Sequence, residues 1–170
     1  KITAQAIFWQ AEAYAIMKNR KAAEEHYKLF MEAPSAINLT EFGRAHYGLA
    51  YVYFENQRYD DAINWFRKFA DYEKKDSLRV NDGLLRIADG YYLRKDNKRA
   101  IEFYDKAIKY NKFDTDYAIF QIAVCYGLDG KSASKVETLK AMLENYPETD
   151  FAADAKYEIA ETHFFTDNSQ

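Results

Sequence analysis

Cysteine occurs once in the chain, at Cys125, so no internal disulfide can form and thiol usage says little more about compartment. Proline occurs only as Pro34 and Pro147, and glycine six times, which leaves few breakers and favours long helices. No apolar run approaches the roughly 20 residues that cross a bilayer, so no direct membrane insertion is expected. Neither sign of charge dominates: 24 basic side chains stand against 27 acidic ones, for a net charge of −3. Without a basic stripe or arm, nucleic acid is not expected as a partner. The chain opens on Lys1 and carries no signal peptide, which reads as a trimmed or processed piece of something longer.

Aromatic residues are what the chain has in quantity. Tyrosine, phenylalanine and tryptophan number 15, 12 and 2, or 17% of the 170 residues, within a composition that is 48% apolar and 30% charged. That composition suits one compact domain or a short repeat array.

The aromatics recur in register. A small residue is followed three places later by tyrosine at Ala11/Tyr14, Ala50/Tyr53, Ala88/Tyr91 and Ala123/Tyr126, and Ala160/His163 keeps the spacing with histidine. The alanines lie 39, 38, 35 and 37 residues apart. Twelve residues after each comes a second marker with an apolar partner four further on: Ala23/Tyr27, Ala62/Phe66, Ala100/Tyr104 and, less regularly, Lys135/Leu139. Phe30, Phe69, Ala107 and Met142 follow three places later. A pair of helices per repeat explains this spacing. Alanine lets two backbones approach, the aromatics beside it fill the gap, and each hairpin leaves an apolar face for the next to bury.

The pattern predicts an all-α fold of nine helices near 3–17, 20–33, 40–55, 59–73, 77–94, 97–110, 115–128, 132–146 and 150–165. Thr40, Asp76, Asp114 and Thr149/Asp150 stand where a side-chain oxygen can cap the free amides. Short polar links such as 18–21, 56–58, 95–98 and 129–131 join helices within repeats. Lys74/Lys75 and Lys109/Lys112 read as solvated ends of second helices. Both ends of the array read as unfinished, since it stops on the first helix of a fifth hairpin with Phe164 and Phe165 uncovered.

Segments 48–66 (GLAYVYFENQRYDDAINWF) and 87–108 (IADGYYLRKDNKRAIEFYDKAI) resemble tetratricopeptide repeats. Sel1-type repeats would need a glycine-rich signature, and HEAT or armadillo repeats lack the alanine spacing of twelve. The resemblance implies a right-handed superhelical solenoid over 1–170, with repeats near 3–38, 39–76, 77–113, 114–148 and a half repeat at 149–166. Most of these exceed the usual period of about 34 residues. That lengthening, with segment 144–164, is similar to envelope-associated repeat proteins of bacteria, namely the Tol–Pal-associated and β-barrel-assembly lipoprotein types. It implies a periplasmic or envelope location, with the cytoplasm left open.

In this family first helices line a concave face, and the resemblance implies that such a face here binds a protein or peptide. It would draw on Gln5, Phe8, Glu12 and Ile16; Arg44, Tyr47, Tyr51, Phe54 and Glu55; Asp82, Leu85, Asp89 and Tyr92; Tyr117, Phe120, Val124 and Leu128; and Asp154, Tyr157, Glu161 and Phe164. Arg44, Tyr47, Tyr51, Phe54, Asp89, Tyr92, Tyr117 and Phe120 are the chosen partner-binding residues. Inter-repeat packing is the competing role for each aromatic. The two-carboxylate clamp of chaperone-binding members is not expected: among the matching positions Phe8, Glu12, Gly48, Asp82 and Arg86, only Arg86 has the right chemistry.

Catalytic motifs fail one by one. GLDGKSAS (127–134) has Cys125 where a phosphate loop needs its first glycine, and it follows a helix instead of a strand. His26, His46 and His163 lie in different helices without metal-ligand spacing, so no metal or cofactor is expected. Cys125 reads as a buried small residue. The pairs Asp60/Asp61 and Asp114/Asp116 suit helix starts, and Glu24/Glu25 a solvated face. The chain is therefore expected to be an interaction scaffold and not an enzyme. A structural spacer that self-associates through its open C-terminal end is the alternative.

Overall fold

A computed structural model describes residues 3–73, 75–110 and 112–167, which leaves the expectation for Lys74 outside the described residues. Among them the chain forms nine α-helices: α1 (Ala4–Ile16), α2 (Arg20–Glu32), α3 (Glu41–Glu55), α4 (Tyr59–Tyr72), α5 (Ser77–Leu93), α6 (Asn97–Tyr110), α7 (Thr115–Leu128), α8 (Ser132–Asn145) and α9 (Ala152–Asp167). Their bounds fall within two residues of the expected ones. A 3-10 turn at Ala36–Asn38, which buries Ala36, lies between the helices expected at 20–33 and 40–55.

The hairpin turns explain why the helices stop where they do. Lys18, Gln57, Lys95 and Gly130 all adopt positive φ, at 57°, 59°, 60° and 72°. In each turn the amide of the next residue donates to the carbonyl of the repeat tyrosine: Asn19 to Tyr14, Arg58 to Tyr53, Asp96 to Tyr91 and Lys131 to Tyr126, all at 2.9 Å. This is the left-handed C-terminal motif that satisfies orphan carbonyls, and only one of the four turns uses glycine for it. The tyrosine thus serves twice, through its ring in packing and through its backbone in the turn.

Capping differs from expectation at two positions. Asp76 caps α5, its Oδ1 accepting from the Arg79 amide at 3.0 Å, and the Thr149 hydroxyl accepts from the Phe151 amide at 3.3 Å. Thr40 makes no cap, because its hydroxyl donates to Glu41 Oε2 at 3.1 Å. Asp114 makes none either: it is left-handed at φ 53°, away from the extended backbone that lets a capping side chain fold back. Unforeseen caps are Thr3 and Asn19, each accepting an amide three residues on at 3.3 Å, and Asp96, accepting from Arg99 at 3.2 Å. Asp60, Asp61 and Asp116 lie in first turns, favourably placed against helix N-termini.

The chain divides into two compact units, Lys1–Gly90 and Tyr91–Gln170. In the first, α1 packs on α2, α2 on α3, and α3 on α4. Ala11, Ala23, Ala50 and Ala62 are fully buried at the helix contacts, with Phe8, Tyr27, Phe30, Phe66 and Phe69 around them. In the second unit α7 lies between α6 and α8, and α8 packs on α9. Ala123, Leu139, Met142 and Ala155 form one buried cluster there, with Ile119, Phe120, Phe151 and Ile159 packed on them. The small-then-aromatic spacing therefore builds the interior, as the sequence pattern required.

Candidate functional site: an arginine- and tyrosine-lined groove in the first unit

A close approach of backbones starts the site. Gly48 on α3 faces Tyr27 of α2, and a Cβ there would sit 2.4 Å from the tyrosine oxygen. Glycine therefore admits a whole phenol, which is 1% exposed and donates its hydroxyl to Glu12 Oε1 at 2.6 Å. The other Glu12 oxygen accepts from Arg44 Nη2 at 3.3 Å. The Arg44 guanidinium lies 5.3 Å from the ring centroids of both Phe8 and Trp9, so stacking and an ion pair orient it together.

One helix turn along α3, Tyr47 and Tyr51 converge on a single oxygen. Both donate to Asp82 Oδ2, Tyr47 at 2.7 Å, and their rings meet edge-on at 5.0 Å. Behind them lie Phe66 and Phe69 of α4, at 5.8 and 5.0 Å from Tyr47. Burial raises the pKa of both phenols well above the ordinary tyrosine value, and the Asp82 carboxylate pushes the same way. They stay protonated donors at any physiological pH. Asp82 is further held by Arg86, 3.6 Å away on the next turn of α5.

Arginines frame the opening. Arg20 pairs with Glu55 at 3.0 Å, and Arg79 pairs with Asp76. Burial opposes ionisation of Asp76, but hydrogen bonds from Arg79 and the charges of Arg79 and Arg44 outweigh it and hold the carboxyl below its usual range. The result is a groove of about 290 Å³ walled by Arg20, Arg44 and Arg79, with Glu12 and Glu55, over a floor of Tyr27, Tyr47 and Tyr51.

The expected partner-binding residues separate accordingly. Arg44, Tyr47 and Tyr51 line this groove, and Phe54 rests instead on Tyr59 at 5.5 Å. Phe8 and Leu85 correct the expectation: both are fully buried and belong to the core. Asp89 is 6% exposed and bound to Arg86, so its carboxylate is an interior ion-pair partner. In the second unit Tyr92 is half-buried, Phe120 stacks on Phe151 at 5.2 Å, and Tyr117 contacts Tyr104 and Phe151 at 6.3 and 5.8 Å. Ile16, Leu128, Tyr157 and Phe164 are exposed. Sequence reasoning missed Tyr27, Arg20 and Arg79 as lining residues. Tyr27 carried a signal, since it is the aromatic of the second marker, but its register spoke only of packing.

Cys125, His26 and His46 are packed or hydrogen-bonded within the fold. Cys125 is buried and its thiol is pushed up to about 12 by that burial. The His26 ring hydrogen-bonds the Ala22 carbonyl at 2.8 Å, and His46 packs among Phe42, Trp65 and Tyr72. Among the described residues no group of three or more His, Cys, Asp or Glu could hold a metal, and no helix is long and apolar enough to cross a membrane.

Helices paired through left-handed turns, with alanines and aromatics at fixed offsets, define an all-α helical repeat protein. Tetratricopeptide repeat models match residues 43–76, 82–112 and 117–149, and the chain belongs to the tetratricopeptide repeat family. No curated protein sequence matches it. Among solved structures it is similar to YrrB, described as a TPR protein with an unusual peptide-binding site, at 20% identity and a TM-score of 0.72 over 98% of this chain and 79% of that one. The apo form of RapI matches at 14% identity and TM-score 0.79, over 97% of this chain and 64% of RapI. MamA matches at 15% identity and TM-score 0.73, over 92% and 84%.

Proposed function

We propose that this chain is a protein–protein interaction scaffold, a single tetratricopeptide solenoid that holds a peptide segment of its partner in the groove of the first unit. The observation that carries the reading is the groove itself, with pre-oriented guanidiniums at its rim and tyrosine oxygens on its floor. Arg44 is stacked and ion-paired before any ligand arrives, and the phenols are locked by Asp82, so little side-chain entropy is lost on binding. Tyrosine and arginine are the side chains that dominate binding energy at such interfaces. The peptide-binding site of YrrB, on the same fold, supports the class of ligand.

The test is a randomised peptide library panned against the chain and against Arg44→Gln/Arg79→Gln. Both arginines are partly exposed, so thermal melts of the variant should stay within a few degrees of the parent. Enriched peptides should bind the parent and lose more than about tenfold in affinity on the variant, or about 1.4 kcal/mol. Equal binding to both would remove the groove from the function. A library that yields no binder would sink the peptide reading as a whole.

A further inference from the structure

The carboxylates in and around the groove of the first unit are already engaged. Glu12 accepts from the Tyr27 hydroxyl on Oε1 and from Arg44 on Oε2. Asp82, behind the floor, accepts the Tyr47 and Tyr51 hydroxyls on one oxygen. Glu55 accepts from Arg20 on Oε2, and Asp76, beside the rim, accepts from Arg79. A cationic side chain entering here would have to compete with an arginine for each of these rim carboxylates.

The guanidiniums keep capacity that the carboxylates lack. Among the described residues Arg44 gives one Nη to a carboxylate, Arg20 its Nε and Arg79 one Nη. Each guanidinium carries several N–H donors in a planar fork, so most of the donors at the rim have no protein acceptor. All three side chains are partly exposed, which leaves those donors within reach of a ligand. Arg44 is also held in place by the Phe8 and Trp9 rings, and its charge acts on the same Asp76 carboxyl that Arg79 binds.

The floor supplies the complement. The hydroxyls of Tyr27, Tyr47 and Tyr51 donate to Glu12 and Asp82, and each oxygen keeps a lone pair that can accept. Neutral acceptors on the floor suit a backbone N–H, and unengaged cationic donors at the rim suit a carboxylate. At about 290 Å³, the room of roughly ten waters, the groove takes a residue or two of an extended strand and not a helix. We infer, resting on the peptide reading of this groove, that it selects an acidic residue inside the peptide, Asp or Glu, whose side-chain carboxylate binds Arg44 and Arg79. A chain terminus is not the source, because Phe8, Glu12, Gly48 and Asp82 stand where a clamp for a terminal carboxylate needs cationic or amide side chains.

The probes are mixtures of short acetylated and amidated peptides, random among uncharged residues except for a central Glu, Gln or Lys. A further mixture is uncharged throughout and ends in a free C-terminal carboxylate. Retention on the immobilised chain, read by mass spectrometry, should be more than about tenfold higher for the Glu mixture than for the Gln or Lys mixtures. It should fall as salt rises. Arg44→Gln/Arg79→Gln should abolish the preference for Glu over Gln. Glu55→Gln, at a half-exposed position, should strengthen retention of the Glu mixture, since it takes a like charge off the rim and releases Arg20. Equal retention of the Gln and Glu mixtures, lost on the arginine variant, overturns the acidic preference and leaves the peptide reading standing. Retention of no mixture removes both. Stronger retention of the free-terminus mixture, or weaker retention of the Glu mixture on Glu55→Gln, also overturns the inference.

Discussion

Lys18, Gln57 and Lys95 hold left-handed backbones that cost an L-residue about 1–2 kcal/mol, partly offset because glycine loses more entropy on folding. Gln57→Gly and Lys95→Gly are therefore expected to raise the unfolding free energy measured in urea by up to about 1 kcal/mol each. Gly130→Ala should lower that free energy, although no atom lies within 4 Å of the added methyl, so backbone conformation alone is read. Gly48→Ala acts by crowding instead: the methyl would displace Tyr27 and break its bond to Glu12, at a cost of about 1–3 kcal/mol. His46 gives a pH signature. Burial among rings lowers its pKa, so the unfolded chain binds the proton more readily. The stability from neutral His46 is complete above the unfolded value near 6.5 and is lost as pH falls below it toward the folded value. Melting temperature should drop between pH 7.5 and 5, and His46→Phe should flatten that dependence.

At the scale of elements, capping separates positions that look alike in sequence. Asn19 accepts the Ala22 amide and Thr40 accepts none, so Asn19→Ala should cost about 1 kcal/mol and Thr40→Ala clearly less by thermal or urea denaturation. Asn19 is turned out of the helical region at ψ 74°, whereas Thr40 is already helical at ψ −25° and gives its hydroxyl to Glu41. Helix position was legible for the same reason that capping was not. Second helices such as α4 alternate Ala62, Phe66 and Phe69 with charged residues, so period and face are both visible. By contrast α7 is apolar nearly all round, with Tyr117, Ile119, Phe120, Ile122, Val124 and Cys125, because α6 and α8 flank it. Its sequence announces a buried helix without saying which side chain meets which neighbour. That is why Phe120 could be placed on a first helix and not distinguished beforehand as a stacking partner of Phe151.

For the molecule as a whole, repeat proteins draw stability from each hairpin and its neighbours, so the least covered helix should open most readily. Amide hydrogen exchange is expected to be faster along α9, with Tyr157 and Phe164 exposed, than along α3, whose Leu49, Ala50, Val52 and Tyr53 are buried. Equal protection in the two helices would contradict this. By itself the sequence determined the helices, their turns and the repeat register, because alanine and aromatic spacing are local properties that survive without coordinates. It also places Cys125, not glycine, where a phosphate loop needs its first glycine, and spaces the three histidines unlike a metal motif. Only the tertiary structure decided which aromatics face a groove and which are core. Tyr47 and Phe8 hold the same register, yet Tyr47 reaches Asp82 from the floor of a groove while Phe8 is buried against Phe30. Only the structure, too, joined Tyr27, Glu12 and Arg44 through the space left by Gly48. Register says where a side chain leaves its helix, whereas access depends on what other helices place over it.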